Sequence, residues 1–190
     1  MPKVTLSKSV DRREDLLASA IHAFAAKGYL GTTIADVARV AGISPAYVSK
    51  LYPSKEQLFV AALDRCYELV LDTIVAGADA ATDNSPAGIL DAMGGAYASL
   101  IAERDYLMLQ VHAQSAASIT PIARSIRTGL AAVTAAAKER SQATDTEVQR
   151  FIAYGQLCHL IVTTRVDASA GDWARIVTAG IRHPDKPVPG

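Results

Sequence analysis

The side chains that could carry covalent chemistry in this chain are few, and their spacing does not suit it. Cys158 and His159 are neighbours; on a helix, adjacent residues point about 100° apart, which keeps a thiol and an imidazole from working as nucleophile and base. His22, His112, His159 and His183 form no HExxH motif and no i, i+4 pair, and there is no glycine-rich phosphate loop. Cys66 and Cys158 belong to no CxxC pattern and to no metal-like His spacing, so neither a disulfide framework nor a zinc site is indicated. No enzyme, cofactor or metal is expected. A different chemistry is spaced for use between residues 33 and 55, where Thr33, Ser44, Pro45, Ala46, Tyr47, Ser49, Lys50 and Lys55 surround two short helical segments. Hydroxyls and ammonium groups at helix starts suit binding of an anion such as phosphate.

The frame that positions them follows from composition and periodicity. With 190 residues, half of them apolar and a fifth charged, the chain is one ordinary globular unit or a small module on a larger one, with enough apolar material for a sizeable core. No uninterrupted run of about 18 apolar residues occurs, and the first ten residues lack a secretory signal, so a cytoplasmic address and no membrane partner are expected. Nineteen basic and nineteen acidic residues cancel, which argues against a protein that coats nucleic acid along its whole surface. The balance is uneven: residues 1–60 hold 8 basic and 5 acidic side chains, the remainder 11 and 14. A DNA-contacting head on a neutral-to-acidic body would show that asymmetry.

Helices are expected from end to end. Leu17, Ala20, Ile21 and Phe24 make one amphipathic helix from Asp11 to Lys27, stopped by Gly28. Thr33 and Asp36 have the capping-box spacing and start a short helix over 34–40. Ala41-Gly42 ends it, and Ser44-Pro45 supplies an N-cap and a first-turn proline for another over 45–51. Ser54 and Gln57 cap a longer helix to about Ala76. Further helices are expected at 86–102, 105–117, 121–140, 145–167 and 171–181, and a frayed tail from Pro184. No segment has a convincing period-two strand pattern. The expected class is all-α.

Two short helices joined across Ala41-Gly42-Ile43, with Ile34, Val37, Val40, Ile43, Val48 and Leu51 free to pack on the preceding helix, have the spacing of a helix-turn-helix. That spacing alone fits two packing helices of a plain bundle equally well. The run Gly31-Thr32-Thr33-Ile34-Ala35-Asp36-Val37-Ala38-Arg39-Val40-Ala41-Gly42-Ile43-Ser44, continued by Tyr52-Pro53-Ser54-Lys55-Glu56-Gln57-Leu58-Phe59, resembles the DNA-binding domain of the TetR family of transcriptional regulators. The resemblance implies a head over residues 1–54 and a helical effector-binding and dimerisation domain over 55–190. It implies that the 45–51 helix enters the major groove of operator DNA, with Pro45, Ala46 and Tyr47 toward base edges and Ser49 and Lys50 exposed beside them. Thr33 and Lys55, at helix starts, are phosphate candidates, and Arg12 and Arg13 are two more; Thr33 can equally be only a cap. The commonest family motif has glycine and threonine where Ala46 and Tyr47 stand and aromatics where Ser49 and Leu51 stand, so base contacts cannot be copied across.

In the remaining bundle the uncommon polar and aromatic residues are Tyr97, Tyr106, Gln110, His112, Gln114, Tyr154, His159 and Trp173. The resemblance implies an effector cavity, for which Met93, Tyr97, Met108, His112, Leu130, Tyr154 and Cys158 are the candidate lining. A homodimer is expected through the helices at 145–167 and 171–181, with Phe151, Cys158, Val162 and Trp173 at the interface. The expected function is a repressor released by a small apolar effector; the alternative is a helical small-molecule-binding or interaction module with a vestigial head.

Overall fold

The computed structural model describes residues 4–181, with side chains for 12–166 and 168–181. The frayed tail expected from Pro184 and the candidate His183 lie outside the described residues. Among those residues every regular element is helical: α1 (Val4–Gly31), α2 (Ile34–Ala41), α3 (Pro45–Leu51), α4 (Lys55–Asp79), α5 (Pro86–Leu100), α6 (Arg104–Ser115), α7 (Thr120–Ser141), α8 (Asp145–Thr164) and α9 (Asp172–Thr178), with a 3-10 turn at Val166–Ala168 between the last two.

The ends of these helices follow the capping residues. Ser85 accepts from the Gly88 N–H ahead of Pro86 at the first turn of α5. Thr144 and Glu147 form a full capping box at α8. Helical backbone breaks at Gly28 (φ 69°, ψ 178°), although one more turn carries α1 to Gly31. α8 stops at Thr164, three residues earlier than its apolar repeat suggests. Arg165 takes the left-handed conformation (φ 54°, ψ 44°) and returns its N–H to the Ile161 carbonyl, while the Thr163 and Thr164 hydroxyls bond back to the His159 and Leu160 carbonyls.

The chain packs into two compact units: one from the described N-terminal residues to Tyr67 together with Met108–Gly129, the other from Glu68 to Leu107 together with the chain from Leu130. The backbone thus passes from one unit to the other inside α4, α6 and α7. In the first unit Leu16, Ala20, Ile21 and Phe24 of α1 are buried, so Leu16 rather than the half-buried Leu17 heads the stripe. Phe24 and Tyr29 meet the Phe59 ring edge-on, with centroids 4.8 and 5.2 Å away. Gly129 lies so close under the Tyr67 ring that any β-carbon there would collide with it. In the second unit Val70 and Ile74 of α4, Met93 of α5, Ala137 of α7 and Val148 of α8 form a core against which Tyr97 and Phe151 pack. A smaller cluster joins Ile161, Val166 and Ala174 where α8 turns into α9.

Candidate nucleic-acid interface

The first unit contains the tight turn that the spacing of Ala41-Gly42-Ile43 calls for. Gly42 is left-handed (φ 66°, ψ 28°) and its N–H reaches back to the last carbonyls of α2. The Ile43 N–H bonds to the Ala38 carbonyl at 3.0 Å. Nothing stands within 4 Å of where a Gly42 side chain would begin, so the backbone angle alone favours glycine there. The Ser44 hydroxyl then accepts from the Tyr47 N–H at 3.2 Å, and Pro45 occupies the first turn of α3 where no N–H is needed. Val37, Ala38 and Val48 are fully buried and fix α2 and α3 to the head, whereas Val40, expected to pack, is 37% exposed. With Val48 turned inward, Ser44, Pro45, Ala46, Ser49 and Lys50 are all exposed.

Tyr47 sits differently from these five. It is half-buried and lines a cleft of about 500 Å³ together with Arg12, Asp15, Leu16, Ala41, Ile43 and Ser44. The cleft brings Arg12, a phosphate candidate from α1, to the same depression as Tyr47 and Ser44 of the turn and α3. Arg13 is exposed beside it in sequence.

Thr33 and Lys55 have partners within the protein. The Thr33 hydroxyl donates to Asp36 Oδ2 at 2.7 Å and accepts from the Asp36 N–H, while the Thr33 N–H donates to the same carboxylate at 3.0 Å. These bonds, with Lys27 3.4 Å away, hold the Asp36 carboxyl down at about 2. Lys27 and Arg39, the latter 3.6 Å from the carboxylate, offset its charge at the start of α2. Lys55 donates to the Tyr29 carbonyl at 2.8 Å and lies over the Tyr29 ring, 4.5 Å from its centroid, so its ammonium ties the start of α4 to the end of α1.

Sequence reasoning missed two residues that hold this geometry. Thr32 is fully buried, and its hydroxyl donates to the Gly28 carbonyl at 2.8 Å, locking the break that precedes α2. His112 of α6 packs on Gly28, where a β-carbon would come within 3.0 Å of Nδ1. The glycine at 28 was a visible stop signal; its second reason, the histidine ring against it, had no local signal.

The residues put forward for an effector cavity divide between the two units. Met108 and His112 belong to the first; Met93, Tyr97, Leu130, Tyr154 and Cys158 belong to the second. Met93 and Cys158 are buried, Tyr97 is half-buried, and Leu130 and Tyr154 are 40% and 50% exposed. Of the interface candidates, Phe151 packs on the second unit's core, Cys158 is buried and Val162 half-buried, while Trp173 is 56% exposed. The exposed large apolar side chains of α8 and α9 are Tyr154, Leu160, Trp173 and Ile176. His159 bonds to Tyr97 Oη and not to Cys158, whose thiol burial pushes up to about 11. That pairing leaves no thiolate and base. Among the described residues no His, Cys, Asp and Glu group could hold a metal ion, and no helix is long and apolar enough to cross a membrane.

A family model described as bacterial regulatory proteins, tetR family, matches residues 16–62. The HTH-type transcriptional regulator BetI of Rhizobium meliloti (strain 1021) is 36% identical over 81 residues. Over residues 16–62 the chain is thus similar to the TetR family. The match to BetI covers 43% of this chain and 39% of that relative's length. The TetR-type fold extends further than the sequence match. A TetR-family regulator from Agrobacterium tumefaciens superposes with a TM-score of 0.68 at 18% identity, covering 89% of this chain and 93% of that one. The FadR regulator of Bacillus subtilis, solved in complex with stearoyl-CoA, superposes with a TM-score of 0.67 at 12% identity, covering 90% of this chain and all of that one. At these identities the likeness is one of fold.

Proposed function

We propose that the chain is a sequence-specific DNA-binding transcriptional regulator of the cytoplasm, acting as a homodimer and most simply as a repressor released by a small apolar effector. The observation that carries the DNA-binding part is the α2–turn–α3 geometry, in which Val48 anchors α3 and the opposite face, Ser44 to Ala46 with Ser49 and Lys50, stays exposed. A helix held from one side with a polar, single-cation face outward is built to enter a major groove. Ala46 and the Tyr47 ring edge are placed near the N-terminal end that meets bases, Lys50 meets a phosphate or a guanine, and Arg12 meets the backbone beside the cleft. Thr33 serves first as the cap of α2, and Lys55 first as the tie to Tyr29, with its remaining donors directed to phosphate. The functional division runs at residue 54: a head over 1–54 and an effector-binding and dimerisation part over 55–190. The compact units divide elsewhere, inside α4 after Tyr67, and the first also takes in Met108–Gly129.

α8 and α9 supply the dimer surface, with Leu160, Trp173 and Ile176 joining Tyr154 as its apolar contacts and Phe151 and Cys158 supporting them from the core. The effector binds among the helices of the second unit. Because α4 starts beside α3 and continues into that unit, a shift of α4 would alter the separation of the two heads of a dimer, which can grip two half-sites only at matched spacing. Selection of bound sequences from a random DNA pool tests the core of the proposal. Enrichment of a palindromic site supports it, and a pool that stays random means a head kept only for packing.

A further inference from the structure

Between α5 and α8 of the second unit two polar rings meet. Tyr97 Oη lies 2.6 Å from His159 Nε2, with Tyr97, like Phe151, packed against the cluster that contains Ile74 and Met93. His159 is 95% buried, being 5% exposed, and its other ring nitrogen, Nδ1, is buried with no hydrogen-bond partner. A phenol is a far better proton donor than a neutral imidazole N–H, and the short separation suits an O–H···N bond. Tyr97 therefore donates to Nε2, and the ring proton resides on Nδ1. A buried N–H donor without an acceptor is destabilising, and a bound acceptor removes that cost.

Small residues flank the ring pair. Gly94 stands one turn before Tyr97 and Gly155 one turn before His159. A β-carbon on Gly155 would meet nothing closer than Tyr97 Cε1 at 4.0 Å, and one on Gly94 nothing closer than Phe151 Cε2 at 3.9 Å. Neither glycine crowds the ring pair: a methyl group at Gly155 or Gly94 would stand at ordinary contact distance from Tyr97 or Phe151. We infer that His159, oriented by Tyr97, is the polar anchor of the effector site, and that it selects apolar molecules carrying one uncharged carbonyl oxygen, such as a ketone, ester or amide. The inference rests on the effector-binding role proposed above and narrows its ligand class. Burial holds the imidazole neutral at physiological pH by lowering its pKa to about 4. A carboxylate would therefore enter beside an uncharged ring and lose its hydration without a counter-charge, whereas a carbonyl oxygen gives up little.

Two isosteric pairs test this: acetophenone with α-methylstyrene, and cyclohexanone with methylenecyclohexane, each pair exchanging C=O for C=CH2 at nearly constant shape. Binding is followed by calorimetry and by long-range ¹H–¹⁵N correlation of the histidine rings, with the His159 signals assigned by their loss in His159→Phe. The expected result is an Nδ1–H tautomer in the free protein, a shift of that signal on adding ketone, and about tenfold tighter binding of the ketone than of its isostere. That preference falls to about one in His159→Phe and is reduced in Tyr97→Phe, which keeps the imidazole but frees its orientation; Gly155→Leu, crowding the ring pair, weakens both members of a pair. Thermal melts establish that each variant is folded. Equal binding of ketone and isostere, a ketone preference that survives His159→Phe, or no ketone binding at millimolar concentration overturns the inference. Ketone that shifts the His159 signals without changing DNA affinity leaves the site standing and removes the effector-release function. A compound that releases DNA from the wild type and His159→Phe alike does the reverse.

Discussion

At the scale of single residues, two titrating groups put their marks on stability in separate pH windows. The Asp36 carboxyl is held at about 2 in the folded chain by hydrogen bonds from Thr33 and by Lys27, against an unfolded value near 3.9. Its contribution is present above about pH 4 and is lost as pH falls toward 2. His159, neutral in the fold down to about 4 because of burial, protonates in the unfolded chain near 6.5. Stability therefore declines as pH falls from about 6.5 to 4, by up to about 3 kcal/mol, and His159→Phe abolishes that window while leaving the lower one. Urea denaturation at steps between pH 7 and 2.5 separates the two. Thr33→Ala removes both halves of the capping box and is expected to cost about 1 kcal/mol, read as a lower denaturation midpoint at unchanged slope. Lys50→Ala tells the two contacts proposed for this lysine apart: the midpoint should stay unchanged, a phosphate contact predicts weaker binding to all DNA sequences and a salt slope lower by about one per protomer, and a guanine contact predicts relaxed preference at one base. Lys55→Ala should lower both stability and DNA affinity, because its ammonium also holds the Tyr29 carbonyl.

At the scale of elements, the two left-handed glycines of the head carry unequal loads. Gly42 has open space where a side chain would start, so Gly42→Ala pays for the backbone angle alone, about 1 kcal/mol. Gly28 combines φ 69° and ψ 178°, a region nearly closed to other residues, with the His112 ring 3.0 Å from a would-be β-carbon. Gly28→Ala should therefore cost more, about 2–4 kcal/mol, and His112→Ala should restore part of the loss, giving a coupling of about 0.5–1.5 kcal/mol in a double-mutant cycle. Additivity would mean that the ring simply moves aside. The contrast also marks what could be read in advance. Helix starts at Thr33, Ser44, Ser54 and Ser85 and the turn at Gly42 follow local rules, in which a cap and its partner lie within three residues. The Lys55–Tyr29 bond, the His112 ring on Gly28 and the Tyr97–His159 pair span 26, 84 and 62 positions, and nothing in the neighbouring sequence specifies a contact made by folding. α8 shows the limit within one element: its apolar repeat runs on past Thr164, and the left-handed Arg165 that ends it carries neither glycine nor asparagine to announce it.

At the scale of the whole molecule, the proposed function requires two copies and a response to a ligand. Leu160→Glu with Ile176→Glu places charges on exposed apolar positions of α8 and α9; sedimentation equilibrium should show the wild type as a dimer and the double variant as a monomer that retains its helical circular dichroism, with operator affinity reduced at least tenfold. A monomeric wild type at micromolar concentration would remove the dimer. Effector coupling of about 1–3 kcal/mol would change operator affinity by roughly 5- to 150-fold, and operator must weaken effector binding by the same factor; calorimetric titration of the effector with and without operator measures both sides of that equality. The chain's single tryptophan, Trp173, stands 56% exposed on α9, so all indole fluorescence comes from one place on the proposed dimer surface. Dilution through the dissociation range should move its emission to the red and open it to iodide quenching, giving the protein a built-in optical gauge of its own association state.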